Sequence, residues 1–543
     1  MIAKTLSKSR FKLALECPTK VFYSVDPRYV NARKDDDFLQ ALADGGFQVG
    51  ALAQAFYRAE DPAAVEITSL SEDEQVRQTA ELLCQDNVTI FEGTLRHGNL
   101  LARVDVLHKR GNVLELIEVK AKSWDRNEDS LTGQTPKSNP IAPDWEPYVY
   151  DVAFQESLLR KCLAEWGRTD IEVRPSLLLV DKTAINTVRG LGAMFPIVGQ
   201  GRGRAVAISD TFVIEQLAEA LLVRVDASAA IRIAQTITRK KKGRPEVVFD
   251  SLIATTAAAL ARGDRLGPHV GPPCKKCEFY CEPAERSEDS RSGWAECMET
   301  LLKKPVTDAR EVSVFGLYDK ADIQGFLDQK RIWLRDLGED EILLKQSADK
   351  ISGTERHRLQ WREVVQGDHE PYLRHEDLAQ AMAAWRWPLH FIDFETAAPA
   401  LPFHAGHRPY QPILFQFSHH VVTEDGTVRH ASECLITQGG ESPSIEVVRQ
   451  LQFAIGQDDG TVLHWFPHER TILRSIRDEI ATRKPADAAE LTGFLDRLGI
   501  DQDSNLRLFD LGALVKSHVF LAGSNGSSSM KKFLRPILEQ SEV

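Results

Sequence analysis

The sequence predicts an α/β chain made of two successive α/β units joined by a helical connector. Three observations carry that reading. Aliphatic runs such as LLARVDVLHKR, NVLELIEVKAK, PSLLLVD and HFIDFE read as strands, and they alternate with stretches of helical period such as FQVGALAQAFYRAE and YVYDVAFQESLLRKCLAEWG. A chain of 543 residues is longer than one core ordinarily serves. Cysteines bracket the first unit: Cys17 near its start, and Cys274, Cys277 and Cys281 as a C-x2-C-x3-C group near its end. Four thiols placed this way read as one metal site that closes a long loop.

Composition bounds the class. Hydrophobic residues at 43% and charged residues at 27% are ordinary for a globular chain. No stretch is long and apolar enough to span a membrane. The N-terminal MIAKTLSKSRFKLALE is charged throughout and lacks the apolar run of a secretory signal, so the expected location is the cytoplasm. Eight cysteines are too few for a disulfide scaffold in a chain of this length, and the close grouping of three favours metal binding in a reducing compartment. A formal charge of −12 argues against a protein that coats nucleic acid generally, but leaves room for a local phosphate-contacting patch. Arg239, Lys240, Lys241, Lys242 and Arg244 form such a run, which reads equally well as a solvated loop or a DNA contact.

The elements follow in order. Residues 1–300 form the first unit. A helix is expected around Gly50 to Tyr57, then two strands turning at Gly111-Asn112, then a helix over YVYDVAFQESLLRKCLAEWG and a strand at PSLLLVD. Residues 213–262 are expected to be mainly helical. Residues 301–385, charged and helical in pattern, form the connector, and residues 386–543 the second unit. That unit starts with HFIDFE, continues through PILFQFSHHVV to a turn at Glu424-Asp425-Gly426, and then TVLHWF. No G-x4-G-K-[ST] phosphate loop is present, so no ATP-driven motor is visible.

The first constellation with chemistry is Asp105 on one expected strand and Glu118 with Lys120 on the next. Period-two alternation puts Glu118 and Lys120 on one face, and the turn at Gly111 brings Asp105 alongside. Two carboxylates beside a lysine suit phosphodiester hydrolysis that depends on Mg2+ or Mn2+. The lysine would stabilise developing charge or position the water.

RVDVL and LIEVKAK resemble the PD-(D/E)xK nucleases, especially the RecB-like branch that carries an iron–sulfur cluster. That branch has one cysteine before the nuclease motifs and three after them, the order seen here. The resemblance spans about residues 8–285. It implies a restriction-endonuclease-like fold, DNA as partner, single-stranded or with free ends, and a nuclease role in repair or defence. It also implies Gln155 as a site residue. Leu159 stands where the family often has tyrosine, and Gln54 where it often has histidine. Four thiolates could bind zinc or iron–sulfur; the one-plus-three pattern of Cys17, Cys274, Cys277 and Cys281 resembles the family's 4Fe–4S site. Cys297 is a rival fourth ligand, and Cys84, Cys162 and Cys434 read as core thiols.

The second constellation is Asp393 and Glu395 in HFIDFET, two apart on an apolar strand. Such a pair can anchor metals for phosphoryl chemistry, because burying it otherwise is costly. HFIDFET, PYQPILFQFSHHVV, HWFPHERTILRSI and FDLGALVKSHVFLAGSNGSSSMKKFLRPIL resemble, in order, the DnaQ-like (DEDD) exonuclease fold. More closely, they resemble an uncharacterised bacterial domain that often follows a RecB-like nuclease. The resemblance implies an RNase H-like unit with Asp393, Glu395 and Glu469 as metal acids, and Asp510 as a further ligand or a structural acid. The chain stops at Val543, before the family's last helix with its final aspartate, so the unit is expected to be incomplete and weakly active. Two other classes stay open. One is a nucleic-acid-binding adaptor with vestigial acidic sites; the other is a zinc-clamped scaffold.

Overall fold

The computed structural model describes residues 5–34, 37–69, 71–133, 140–199, 204–217, 220–240, 246–319, 321–342, 347, 349–438, 440–501 and 507–540. It is a mixed α/β structure that divides into two compact units. The first holds residues 1–307 together with 399–411; the second holds 308–398 and 412–543.

Among the described residues, the first unit is built on a seven-stranded sheet. Its centre is the hairpin of Leu100–Arg110 and Val113–Trp124, closed at Gly111, whose φ of 58° suits glycine. Val106 faces Ile117 and Arg110 faces Val113 in this ladder. Asn87–His97 pairs with the other side of Leu100–Arg110 and was not anticipated from sequence. Glu172–Asp181 runs parallel to Val113–Trp124. A parallel neighbour needs a crossover, and the 20-residue helix Glu146–Glu165 supplies it. The stretch expected to be mainly helical opens with a short 3-10 turn, Ile214–Gln216, and then holds a strand, Leu222–Asp226, antiparallel to Glu172–Asp181. Its LVRVD sequence alternates with period two, which favours a strand. Helices Ser228–Thr236 and Phe249–Arg262 then follow as expected.

Two apolar layers hold this sheet. In one, Phe11 and Leu15 of helix Lys8–Glu16 and Val149, Ala153 and Phe154 of helix Glu146–Glu165 pack with Leu114 and Leu116. The Phe11 and Phe154 rings stack with centroids 4.8 Å apart, which fixes the two helices against each other. In the other layer, Val49, Leu52 and Ala53 of the long helix Asp37–Glu60 pack with Phe91, Val106 and Ile117. Residues 399–411 complete this second layer. Leu401 is fully buried in it, Tyr410 Oη donates to Ala121 O at 2.7 Å, and Asn186 Nδ2 donates to His404 O at 3.1 Å.

The second unit contains a five-stranded sheet in the order Val428–Leu435, Ile413–Val422, Leu389–Ala397, Val462–His464, Leu508–Asp510. The first three strands are antiparallel; the last two run parallel to Leu389–Ala397. A side-chain chain crosses it: Asp458 to His390, His390 to His419, and His419 to Ser432, each at 2.9 Å. Residues 308–385 belong to this unit rather than standing apart. Helix Gly353–Gln366 buries Arg356, whose guanidinium donates to Val519 O at 3.0 Å and Gly526 O at 3.2 Å. A buried guanidinium needs such carbonyls, so this one fastens the connector residues to the C-terminal ones.

Candidate functional site

Four elements of the first unit meet at Asp105, Glu118 and Lys120. Glu118 has no exposed side-chain surface, while Asp105 keeps 26% and Lys120 21%. The hairpin brings Asp105 to the next strand, where its Oδ2 accepts the Val119 N–H at 2.7 Å. Helix Lys8–Glu16 contributes Lys8 and Lys12, one turn apart on one face. Lys8 Nζ donates to both Glu118 oxygens, at 2.9 and 3.0 Å, and lies 3.7 Å from Asp105 Oδ1. Helix Glu146–Glu165 contributes Asp151 and Gln155, again one turn apart. Gln155 Nε2 donates to Glu118 Oε2 at 2.8 Å. Lys120 pairs with Glu118 and lies 3.5 Å from Asp151 Oδ2, which Lys12 approaches at 3.7 Å.

The structure brings together the expected Asp105, Glu118, Lys120 and Gln155, and adds Lys8 and Asp151, which sequence reasoning did not name. The signal was present: K-x3-K in SKSRFK and D-x3-Q in YDVAFQ each place two polar groups on one helix face. Glu92 was also missed. It sits at φ 57°, between Phe91, which faces Val106, and Gly93, which faces Val104, so it lies opposite Asp105 at an irregularity in the ladder. Gln54 is half-buried on helix Asp37–Glu60, and Leu159 is fully buried in the core.

The charges follow from burial and neighbours. Burial pushes the Asp105 carboxyl up to about 7, with the Glu118 charge adding and Lys8 and Lys120 opposing. Burial also works against the charge on Glu118, but Lys120 and Lys8 outweigh it and hold that carboxyl down at about 2. Asp151 is pushed upward by burial and then by Glu118. Desolvation would deprotonate Lys8 and Lys120, yet Glu118 first and Asp105 and Asp151 after it raise both above the ordinary lysine range. The site is therefore one ionised carboxylate between two ammoniums, beside two further acids, Asp105 and Asp151, whose protons burial holds more tightly than usual. Two carboxylates suit a hard divalent cation, and the buried Gln155 Oε1 has no hydrogen-bond partner, so the donor chemistry fits Mg2+ or Mn2+. Among the described residues, no three His, Cys, Asp or Glu side chains stand close enough to enclose a metal ion as placed.

A second feature of this unit is a cavity of about 310 Å3 lined by Cys17, Cys274, Cys277 and Cys297. Three of the four anticipated cysteines meet there; Cys281 is not among the lining residues. Burial pushes the Cys274 thiol up to about 11 and those of Cys277 and Cys297 up to about 12, a direction that a bound cation reverses. Four thiols on one cavity are a soft donor set, which fits iron–sulfur or zinc. Of the expected core thiols, Cys162 is buried and Cys434 half-buried. Cys84 is exposed, because it lies in the polar turn after helix Glu72–Leu82. In the basic run, Arg239 is buried against Glu146 and donates to Leu15 O at 3.1 Å, so it is structural rather than solvated. Lys240 pairs with Glu246 at 2.9 Å, and Lys241, Lys242 and Arg244 lie outside the described residues.

In the second unit Asp393 and Glu395 share one face of strand Leu389–Ala397, but both are exposed rather than buried; Ile392 and Phe394 take the core side. Partial burial, then Glu469 and Glu395, push the Asp393 carboxyl upward, so these three acids share one locality. Glu469 is buried in the first turn of helix His468–Arg483, 3.5 Å from His464 Nδ1. Asp510 has a different job. Its Oδ1 accepts the Ala513 N–H and the Phe466 N–H, both at 2.9 Å, and so caps helix Leu511–His518.

A family model described as a domain of unknown function (DUF2779) matches residues 390–529. No curated protein matches the chain. No helix among the described residues is long and apolar enough to cross a membrane.

Proposed function

We propose that the chain is a metal-dependent deoxyribonuclease whose active site is Asp105, Glu118 and Lys120, in a RecB-like PD-(D/E)xK unit. The observation that carries this reading is the meeting of these three side chains with Gln155 on two adjacent strands and one helix. Asp105 and Glu118 would hold a Mg2+ or Mn2+ ion, which supplies polarisation of the phosphate and activation of water. Lys120 stays protonated and offers its ammonium to charge developing on phosphate oxygens. Gln155 fixes the Glu118 carboxylate, and Asp151 steers Lys120. The DNA is taken as single-stranded or ended, in repair or defence. The cysteine cavity would hold a 4Fe–4S cluster, or zinc, and clamp the two ends of the unit.

The second unit is read as RNase H-like of the DnaQ type. Its support is a sheet of three antiparallel strands followed by two strands parallel to the first, with Asp393 and Glu395 on that first strand. Because Asp510 is engaged as a cap, this unit is expected to contribute little cleavage of its own.

The test uses anaerobically purified protein with end-labelled single- and double-stranded DNA, with Mg2+, Mn2+ or EDTA. Metal-dependent cleavage is expected. Asp105→Ala, Glu118→Ala and Lys120→Ala should each lower its rate about 100-fold or more, and Asp393→Ala far less. One observation favours a second reading, the adaptor with vestigial sites: the Lys8 ammonium donates to both Glu118 oxygens and lies 3.7 Å from Asp105, so it stands where a cation would be held. Metal-independent DNA binding with no cleavage by the wild type would establish that reading instead.

A further inference from the structure

The cysteine cavity is closed by a residue outside the compact C-x2-C-x3-C group. Cys297 sits on helix Gly293–Leu302 and lines the cavity with Cys17, Cys274 and Cys277. Cys281 is directed elsewhere. It is 3% exposed, its Sγ lies 3.6 Å from Glu282 O and 3.7 Å from Ser290 Oγ, and its N–H donates to Ser292 Oγ at 3.2 Å. Ser292 is the N-cap of the Cys297 helix, accepting the Ala295 N–H at 3.3 Å. Cys281 thus helps to fix the start of the helix that delivers Cys297.

A second contact singles out the Cys297 sulfur. Tyr23 Oη lies 3.2 Å from Cys297 Sγ. Arg265 Nη1 donates to the same Tyr23 oxygen at 3.1 Å. A guanidinium can only donate, so the phenol accepts from Arg265 and its own proton is left for a sulfur acceptor. A neutral thiol is a weak acceptor, whereas a metal-bound thiolate is a good one. Arg265 also lies 3.3 Å from Glu296 Oε2, which anchors the guanidinium on the same helix as Cys297.

We propose that Cys297, and not Cys281, is the fourth thiolate of the metal centre, joining Cys17, Cys274 and Cys277, and that Tyr23 donates a hydrogen bond to its sulfur. This inference rests on the metal-centre reading above and departs from the one-plus-three cysteine order of the sequence. It gives Cys281 a structural role, as a buried residue that ties the loop to a helix cap.

The experiment compares full-length wild type, Cys297→Ser, Cys281→Ser and Tyr23→Phe, each purified anaerobically as a single folded peak. Iron and acid-labile sulfide per chain, visible absorbance and reduction potential are measured. Wild type should carry about four irons and four sulfides. Cys297→Ser should lose iron several-fold, while Cys281→Ser keeps the wild-type amount per folded chain. Tyr23→Phe should keep its iron but shift the potential downward, because a hydrogen bond to a ligand sulfur favours the reduced cluster. That readout holds even if Cys297→Ser does not fold. Iron retained in Cys297→Ser but lost in Cys281→Ser would overturn the assignment, as would an unchanged potential in Tyr23→Phe. Stoichiometric zinc that depends on Cys297 and not on Cys281 would support the ligand set with zinc in place of the cluster. A wild type with neither metal would overturn the metal-centre reading itself.

Discussion

Asp105 and Glu118 are neighbours of the same chemistry with opposite acidities. Glu118 lies between two ammoniums; Asp105 has one backbone N–H and more distant lysines. A carboxyl that binds its proton more tightly when folded stabilises the fold at low pH. Asp105 therefore subtracts stability as pH rises from the ordinary carboxylate value through about 7. Glu118 does the reverse: its contribution is present above the ordinary value and is lost as pH falls toward about 2. In EDTA, Asp105→Asn should melt at a higher temperature than wild type near pH 8, and the gap should narrow steadily as pH falls through 5 toward the ordinary carboxylate value. The Asn oxygen can still accept the Val119 N–H, so the change tests charge alone. A gap of constant size across that range would mean that Asp105 ionises normally.

Single elements decide which acids are free for chemistry. Asp510 ends strand Leu508–Asp510 and starts helix Leu511–His518, and one oxygen serves two N–H groups. Asp510→Ala should lower unfolding free energy by about 1–2 kcal/mol in urea titrations, the size of a lost cap. Asp510→Asn should stay close to wild type, because its amide oxygen caps as well. An Asn variant as weak as the Ala variant would point to a role for the charge. Gly512, the second residue of this helix, has its own constraint: a Cβ there would meet Phe466 N at 2.8 Å. The strand Asn87–His97 shows why one element escaped sequence reading. It is broken by Glu92 at positive φ and by Gly93, where a Cβ would meet Leu107 Cδ1 at 2.7 Å, and its pattern of alternation is interrupted there.

At the scale of the whole molecule, the division into units does not follow chain order. Residues 399–411 belong to the first unit although residues on both sides of them belong to the second. They supply Leu401 to its core and carbonyls to Asn186. A fragment of residues 1–307 should therefore melt well below the same unit in the intact chain, by circular dichroism or calorimetry. Fully burying one leucine is worth about 1.5–3 kcal/mol, and the loss of the Asn186 Nδ2 bond to His404 O adds to it, although its bond to Val188 O remains. A fragment as stable as the intact unit would show that this segment is dispensable.

The sequence by itself determined the mixed α/β class and the hairpin that joins Asp105 to Glu118 and Lys120. Period-two alternation and a glycine turn are local, so they are written in consecutive residues. Spacing also marked Cys274, Cys277 and Cys281 as one compact group, with Cys17 joined to it by resemblance; of these four, Cys281 does not line the cavity. Tertiary structure alone decided the rest. Lys8 and Asp151 reach the site because two helices pack through Phe11 and Phe154, far apart in the chain. The fourth thiol lining the cavity is Cys297, outside the compact motif, because a helix capped by Ser292 turns it inward. The connector residues join the second unit because Arg356 finds its carbonyls there. Each of these depends on which distant surfaces meet: K-x3-K and D-x3-Q mark polar helix faces in the sequence, but not the strands those faces come to lie against.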